Sequence, residues 1–229
     1  MKRIALVVVL LTMQPAVSFA QTKKNFPIYD NGGMPDLVID GGRLLSTMDI
    51  VTRTFSDGAC EFEEGSIIPG AGSHRLLRFD VAIANTGNGD LVVGDPTDAS
   101  NEFAEWFVYA LCHQHHHLTG FTDYQLLDRD GEVATRGHKQ TFCLEDVVRY
   151  ATGASHGYTC EHQGITSGWA DVYTKYLSGQ WIDITGLPAG EYTLRVVINA
   201  SGTFDEGASA NRGNVFEATV RIPEPRGKK

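Results

Sequence analysis

Short apolar runs separated by Gly-, Asn- and Asp-rich turns recur along the chain, and that spacing predicts strands rather than helices. After a polar, Gly-containing lead-in over 21–34, Asp36 to Asp40 and Leu44 to Thr54 read as strands. Ser56-Asp57-Gly58 reads as a turn and Gly65 to Gly72 as a loop. Arg75 to Asn85 predicts one long strand. Its alternation from Arg78 to Val81 suits a half-buried sheet. Asn85 to Gly89 then turns into Asp90–Gly94. Further on, Phe121 to Asp128 and Glu132 to Ala134 flank a hairpin turn at Arg129-Asp130-Gly131. Lys139 to Leu144 reads as a short strand. Residues 145–180 are rich in Gly, Ser, Thr and His without a period, the mark of a functional loop region. Trp181 to Ile184, Tyr192 to Ala200 and Val215 to Ile222 close the pattern, and 223–229 reads as a disordered tail. The chain shows no long amphipathic helix. The predicted class is all-β, a β-sandwich or Ig-like core with long functional loops and little helix.

The first twenty residues stand apart. Lys2-Arg3, the apolar run Ile4 to Leu11 and the small residues of Ser18-Phe19-Ala20 have the layout of a secretory signal peptide. The run is too short to span a bilayer, so a secreted or periplasmic product with no membrane partner is expected. The whole chain carries a formal charge of −9, and the signal segment contributes two cations and no acids. Such acidity disfavours nucleic acid and favours cationic partners. Four cysteines, Cys60, Cys112, Cys143 and Cys160, suggest two disulfides in an exported chain, with three possible pairings. Cys112 has a second reading as a thiolate ligand beside His113.

Candidate chemistry concentrates at Cys112-His113-Gln114-His115-His116-His117, which holds four of the eight histidines. Trp106 to Tyr109 before it and Leu118 to Phe121 after it read as strand. If this stretch is extended, alternate side chains share a face about 6.6–7 Å apart. His113, His115 and His117 then point one way, and Gln114 and His116 the other. Three imidazoles converging on one ion leave coordination positions open, as a catalytic metal site requires.

These residues resemble the copper-binding stretch of the lysyl oxidase family, C-H-Q-H-Y-H. The resemblance continues through Tyr124-Gln125-Leu126-Leu127-Asp128, Gly137-His138-Lys139, Phe142-Cys143-Leu144-Glu145-Asp146 and Cys160-Glu161-His162-Gln163-Gly164-Ile165. Gly168-Trp169-Ala170-Asp171-Val172-Tyr173, Gln180-Trp181-Ile182-Asp183-Ile184-Thr185 and Gly190-Glu191-Tyr192-Thr193-Leu194 follow in order. It covers roughly 35–222, the expected catalytic domain, and is strongest over 112–200.

The resemblance implies a copper amine oxidase with Cu2+ on His113, His115 and His117. Its second cofactor, lysyl tyrosylquinone, would form from Lys139 and Tyr173. Oxidising a primary amine needs an electron sink that ordinary side chains lack, and a quinone supplies one. The expected substrate is a primary amine, either peptidyl lysine or a small amine. The co-substrate is dioxygen, and the products are an aldehyde, ammonia and hydrogen peroxide. Asp123, on the strand after the histidines, is the candidate base for the α-proton. His138 and His162 are candidates for orienting the site.

Some positions depart from the animal pattern. His116 stands where those enzymes have Tyr, Arg149 stands where a cysteine would follow, and Trp169 and Gly179 replace another cysteine pair. The resemblance then implies a Cys112–Cys160 bridge, with Cys60 and Cys143 joined to each other. An essentially bare catalytic domain behind an export signal resembles bacterial members of the family. Two other readings are an exported copper-binding or copper-sequestering protein without quinone chemistry, and a different β-sandwich metalloenzyme or Ig-like adhesion module.

Overall fold

The computed structural model describes residues 26–70, 72–137, 143–209 and 213–225. The expected signal segment, Lys139 and most of the tail lie outside them. Fifteen strands are present among the described residues, with two short helices, α1 (Gly41–Thr47) and α2 (Cys60–Glu63). The first five strands are β1 (Leu37–Ile39), β2 (Asp49–Phe55), β3 (Gly72–Arg78), β4 (Val81–Asn85) and β5 (Leu91–Gly94). Next come β6 (Phe107–Ala110), β7 (His115–Leu118), β8 (Thr122–Leu127), β9 (Val133–Gly137) and β10 (Val148–Arg149). The last are β11 (Gln163–Ile165), β12 (Trp169–Tyr173), β13 (Trp181–Asp183), β14 (Gly190–Ile198) and β15 (Val215–Ile222).

The all-β expectation holds, with the strands distributed over five small antiparallel sheets. Their orders are β1-β4-β12-β10, β11-β5, β13-β3-β2, β15-β14-β8-β9 and β6-β7. Strands β4 and β12 are buried at every position and pair with each other from Ala170↔Ala84 to Tyr173↔Val81. Covered on both faces, they form an inner layer that carries Tyr173 into the main core with Phe79, Leu126, Leu144 and Ile182. A smaller cluster of Phe55, Ile67, Leu76 and Trp181 packs elsewhere, and the Trp181 indole donates to Ser66 O at 2.7 Å.

Three sequence expectations change. The strand expected to begin at Leu44 instead starts at Asp49, because Asp40 caps α1: its carboxylate accepts from Arg43 N at 3.0 Å. The single strand expected over 75–85 breaks at Phe79-Asp80, and its halves enter different sheets. Asp80 leaves the ladder because its N–H donates to Thr47 Oγ1 at 2.9 Å. Its carboxylate accepts from Arg43 Nε at 3.0 Å and Lys175 N at 2.8 Å. Residues 145–180 are not unstructured but contain β10, β11 and β12. Their period is hidden because side chain–backbone bonds organise them. Asp146 alone accepts from Gly157 N and Thr166 N, both at 2.8 Å, and from Thr166 Oγ1 at 2.5 Å. The short strand expected at 139–144 lies mostly outside the described residues.

The expected disulfide pairing is also corrected. The bridges are Cys60–Cys112 and Cys143–Cys160, with Cα separations of 5.9 and 5.2 Å. The tight turn Thr159↔His162 brings Cys160 back to Cys143, 17 positions earlier, while α2 lies against the turn that carries Cys112. The thiolate-ligand reading of Cys112 falls with the same observation.

Candidate functional site

The histidine run does not form one extended strand. Strands β6 and β7 make a hairpin with Ala110 opposite His115 and Val108 opposite His117. The 111–114 connection is a turn in which Gln114 has φ of 58° and both His113 N and Gln114 N donate to Ala110 O, at 3.2 and 2.7 Å. His115 and His117 share a strand face by alternation, as expected. His113 comes to the same place from the turn, because the left-handed residue at 114 reverses the chain. The ring centroids of His113 lie 5.8 Å from His115 and 5.6 Å from His117, and those of His115 and His117 lie 4.9 Å apart. His116 points to the opposite face, edge-on to Tyr109 at 5.0 Å.

The His115–His117 pair has the spacing of two donors on one metal ion. The Nε2 atoms of His115 and His117 lie 3.1 Å apart. With metal–imidazole bonds of about 2.0–2.1 Å, two donors on one ion lie about 2.9 Å apart at a right angle and about 3.4 Å apart at the tetrahedral angle. His113 Nε2 also lies 2.9 Å from Glu64 Oε1, and both side chains are mostly shielded from solvent. Another group of metal-ligating types, Cys143, Glu145 and Cys160, is spoken for by the disulfide.

Tyr173 ends the buried strand β12, and its hydroxyl donates to Cys143 O at 3.4 Å. Burial holds its phenol well above the ordinary range. The charge of the nearby Asp171 carboxylate pushes the same way. Asp171 sits two residues earlier on the same face, fully buried, and desolvation raises its own carboxyl well above the usual range. Tyr124 on β8, also buried, is pushed up to about 12 by desolvation.

One side chain joins the histidine hairpin to the tyrosine layer. Gln163 is fully buried. Its Nε2 donates to His116 O at 3.4 Å, and its Oε1 accepts from Leu144 N at 3.0 Å. Leu144 follows Cys143, the acceptor for the Tyr173 hydroxyl. Replacing Gln163 with Ala leaves a buried N–H and a buried C=O unsatisfied, at about 1–3 kcal/mol. The melting temperature of the metal-free protein should fall by about 2–10 °C. An unchanged melting temperature would show that the bridge carries no weight.

The other expected residues are placed as follows. Lys139 and His138 lie outside the described residues. Of the described positions on either side, Gly137 pairs with Tyr124 and the Cys143 carbonyl faces Tyr173. Asp123 lies on β8, where its Oδ2 accepts from Arg136 Nη1 at 2.7 Å and Gln125 Nε2 at 2.5 Å. Among the described residues no polar contact joins it to the histidines. His162 stacks on Tyr158 at 5.7 Å.

Sequence reasoning missed Glu64, Gln163 and Asp171. Asp171 had a signal, an acid two positions before the candidate tyrosine in an otherwise apolar strand. Gln163 stood inside a matched motif. Glu64 had none, since only the Cys60–Cys112 bridge brings its loop to His113.

The sequence profile of the lysyl oxidase family matches residues 49–223. Human lysyl oxidase homolog 2 is 33% identical over 198 residues, which cover 82% of this chain and 24% of that protein. Human lysyl oxidase homolog 4 is 34% identical over 176 residues, 72% of this chain and 22% of that one. Chicken (Gallus gallus) lysyl oxidase homolog 2 is 36% identical over 198 residues, with 82% and 24% covered. The chain thus spans about a quarter of the length of these relatives. The profile match runs from β2 to the end of β15, across the hairpin, the Gln163 bridge and Tyr173, and the chain belongs to the lysyl oxidase family.

Proposed function

We propose that this protein is an exported, copper-dependent amine oxidase. It converts a primary amine, dioxygen and water to an aldehyde, ammonia and hydrogen peroxide. The observation that carries this reading is the convergence of three imidazoles on a hairpin that a single buried glutamine links to the Tyr173 wall. In this reading copper and a lysyl tyrosylquinone built from Lys139 and Tyr173 supply the electron sink that the side chains lack.

The chain's own residues do the rest. His113, His115 and His117 hold the ion. Strand β12 holds Tyr173 in a dry layer, and the Cys143 carbonyl accepts from its hydroxyl. In Asp123, Oδ2 accepts from Arg136 Nη1, and Oδ1 is the oxygen that would take a proton from substrate. The family match and the acidic chain, which favours cationic amines, support the substrate class.

The test is a peptide map by mass spectrometry of protein made with copper and air, set against a copper-free preparation. A species joining the Lys139 and Tyr173 peptides is expected only in the copper sample. Lys139→Ala should remove both that species and amine oxidation while leaving copper binding intact. Two separate, unmodified peptides in a fully loaded, aerated sample would reassign the protein as a copper-binding protein without quinone chemistry.

A further inference from the structure

We infer that Asp171 is the group that gives a proton to the ring oxygen of Tyr173, and takes it back, during turnover. This rests on the amine oxidase reading above. The two faces of β12 pack differently. Ala170 and Val172 sit in a small cluster of their own, while Trp169 and Tyr173 belong to the main core. Asp171 alternates with the second pair, so its carboxyl stands on the main-core face, about 6.6–7 Å along the strand from Tyr173.

A side chain that only filled that space would be apolar, because a buried charge needs a partner. Asp171 is fully buried, and its Oδ2 has no hydrogen-bond partner among the described residues. The titratable groups around it are Tyr173, Glu145 and, from β8, Tyr124, and all of them are acids. Desolvation, with the Glu145 charge added, holds its carboxyl well above the usual range. A carboxyl kept neutral in a dry site is a proton donor. The other neighbours of the Tyr173 oxygen do not replace it. The Cys143 carbonyl accepts from the hydroxyl and has no proton to give. Tyr124 keeps its own proton, its phenol being pushed up to about 12 by desolvation. In the quinone reading one oxygen of the cofactor is the former Tyr173 hydroxyl oxygen. Asp171 protonates it as two electrons arrive from the amine: the Asp171 O–H bond breaks and an O–H bond forms on the ring oxygen. Asp171 takes the proton back as dioxygen removes the two electrons.

The experiment uses the full protein, loaded with copper and matured in air, as wild type, Asp171→Asn, Asp171→Glu and Trp169→Phe. Copper titration, the Lys139–Tyr173 peptide map, turnover of butylamine and the infrared carboxyl region are measured on each. Asp171→Asn keeps the shape and carries no acid proton. Its kcat should fall about 100-fold or more, the scale of a lost proton transfer, with KM, copper affinity and the cross-link unchanged. Asp171→Glu restores the acid and should recover about tenfold over Asp171→Asn. Trp169→Phe, on the same face, should match wild type. Metal-free wild type should show a protonated carboxyl band at neutral pH that Asp171→Asn lacks. Equal kcat in wild type and Asp171→Asn would overturn the inference. Equal loss in Asp171→Asn and Asp171→Glu would also overturn it and leave Asp171 as a packing residue. If Asp171→Asn forms no cross-link, Asp171→Glu decides: a restored cross-link supports the proton role, and none overturns it. If the variants fail to fold, wild type labelled with 13C-aspartate answers the question. Its protonated carboxyl band should shift on anaerobic addition of butylamine, and an unmoved band overturns the inference. Wild-type protein that binds copper without forming the cross-link would defeat the amine oxidase reading itself, so the two failures are distinguishable.

Discussion

In the quinone reading, Tyr173→Phe should abolish amine oxidation and the cross-linked peptide and leave copper binding at the wild-type level. Phe keeps the ring volume in the buried strand β12, so the inner layer stays filled. What disappears is one hydroxyl and its hydrogen bond to Cys143 O. Losing that buried donor costs about 1–3 kcal/mol, a melting shift of about 2–10 °C for a chain of this size. Peroxide release per bound copper should fall below detection, because the quinone reading gives Tyr173 no substitute. Tyr176, the nearest tyrosine in sequence, is mostly exposed. Retained turnover in a copper-loaded Tyr173→Phe protein would assign the quinone elsewhere. Lost activity together with lost copper would mean that the substitution had damaged the hairpin rather than the cofactor.

Replacing Cys60 and Cys112 together by Ala carries the largest expected cost to stability. The bridge closes a separation of 52 residues, and the chain-entropy relation assigns such a loop about 4 kcal/mol. The shorter Cys143–Cys160 bridge, with a separation of 17, is assigned about 3 kcal/mol. The double Cys60/Cys112 variant should melt about 8–16 °C lower than wild type. Removing both thiols avoids leaving a free sulfur beside the histidines. Copper affinity should fall with stability, because the same bridge sets His113 against Glu64. The Cys143/Cys160 double variant should lose stability while leaving the triad intact. Scanning calorimetry and copper titration on both variants decide the matter, and equal copper affinity in the two would refute the structural role given to the longer bridge.

What was legible in the sequence was whatever local rules decide. The alternation that puts His115 and His117 on one face is a property of any strand. The all-β class followed from short apolar runs and turn residues. What was not legible depended on distant partners. His113 was expected on the strand, and it reaches the cluster only because Gln114 takes a left-handed conformation. The Arg75–Asn85 run looked continuous, because nothing local shows that Thr47 and Lys175 will draw Asp80 out of the ladder. The cysteine pairing went wrong for the same reason. Spacing leaves three pairings open, and the pairing implied by family resemblance joined Cys112 to the wrong partner.

The β6–β7 hairpin pairs with no other sheet among the described residues. Two-stranded ribbons are marginal by themselves, and among the described residues this one is tied to the rest by a disulfide, the Glu64–His113 contact, Phe107 and Leu118 against the main core, and one glutamine. In the copper reading, the candidate ligands therefore sit on a unit expected to open at lower free energy than the β4–β12 layer holding the tyrosine. Loading and loss of the ion would then be local events, with copper exchanging by fraying of the ribbon while the rest of the chain stays native. Metal occupancy would follow the copper available over the protein's lifetime, instead of being fixed once at folding.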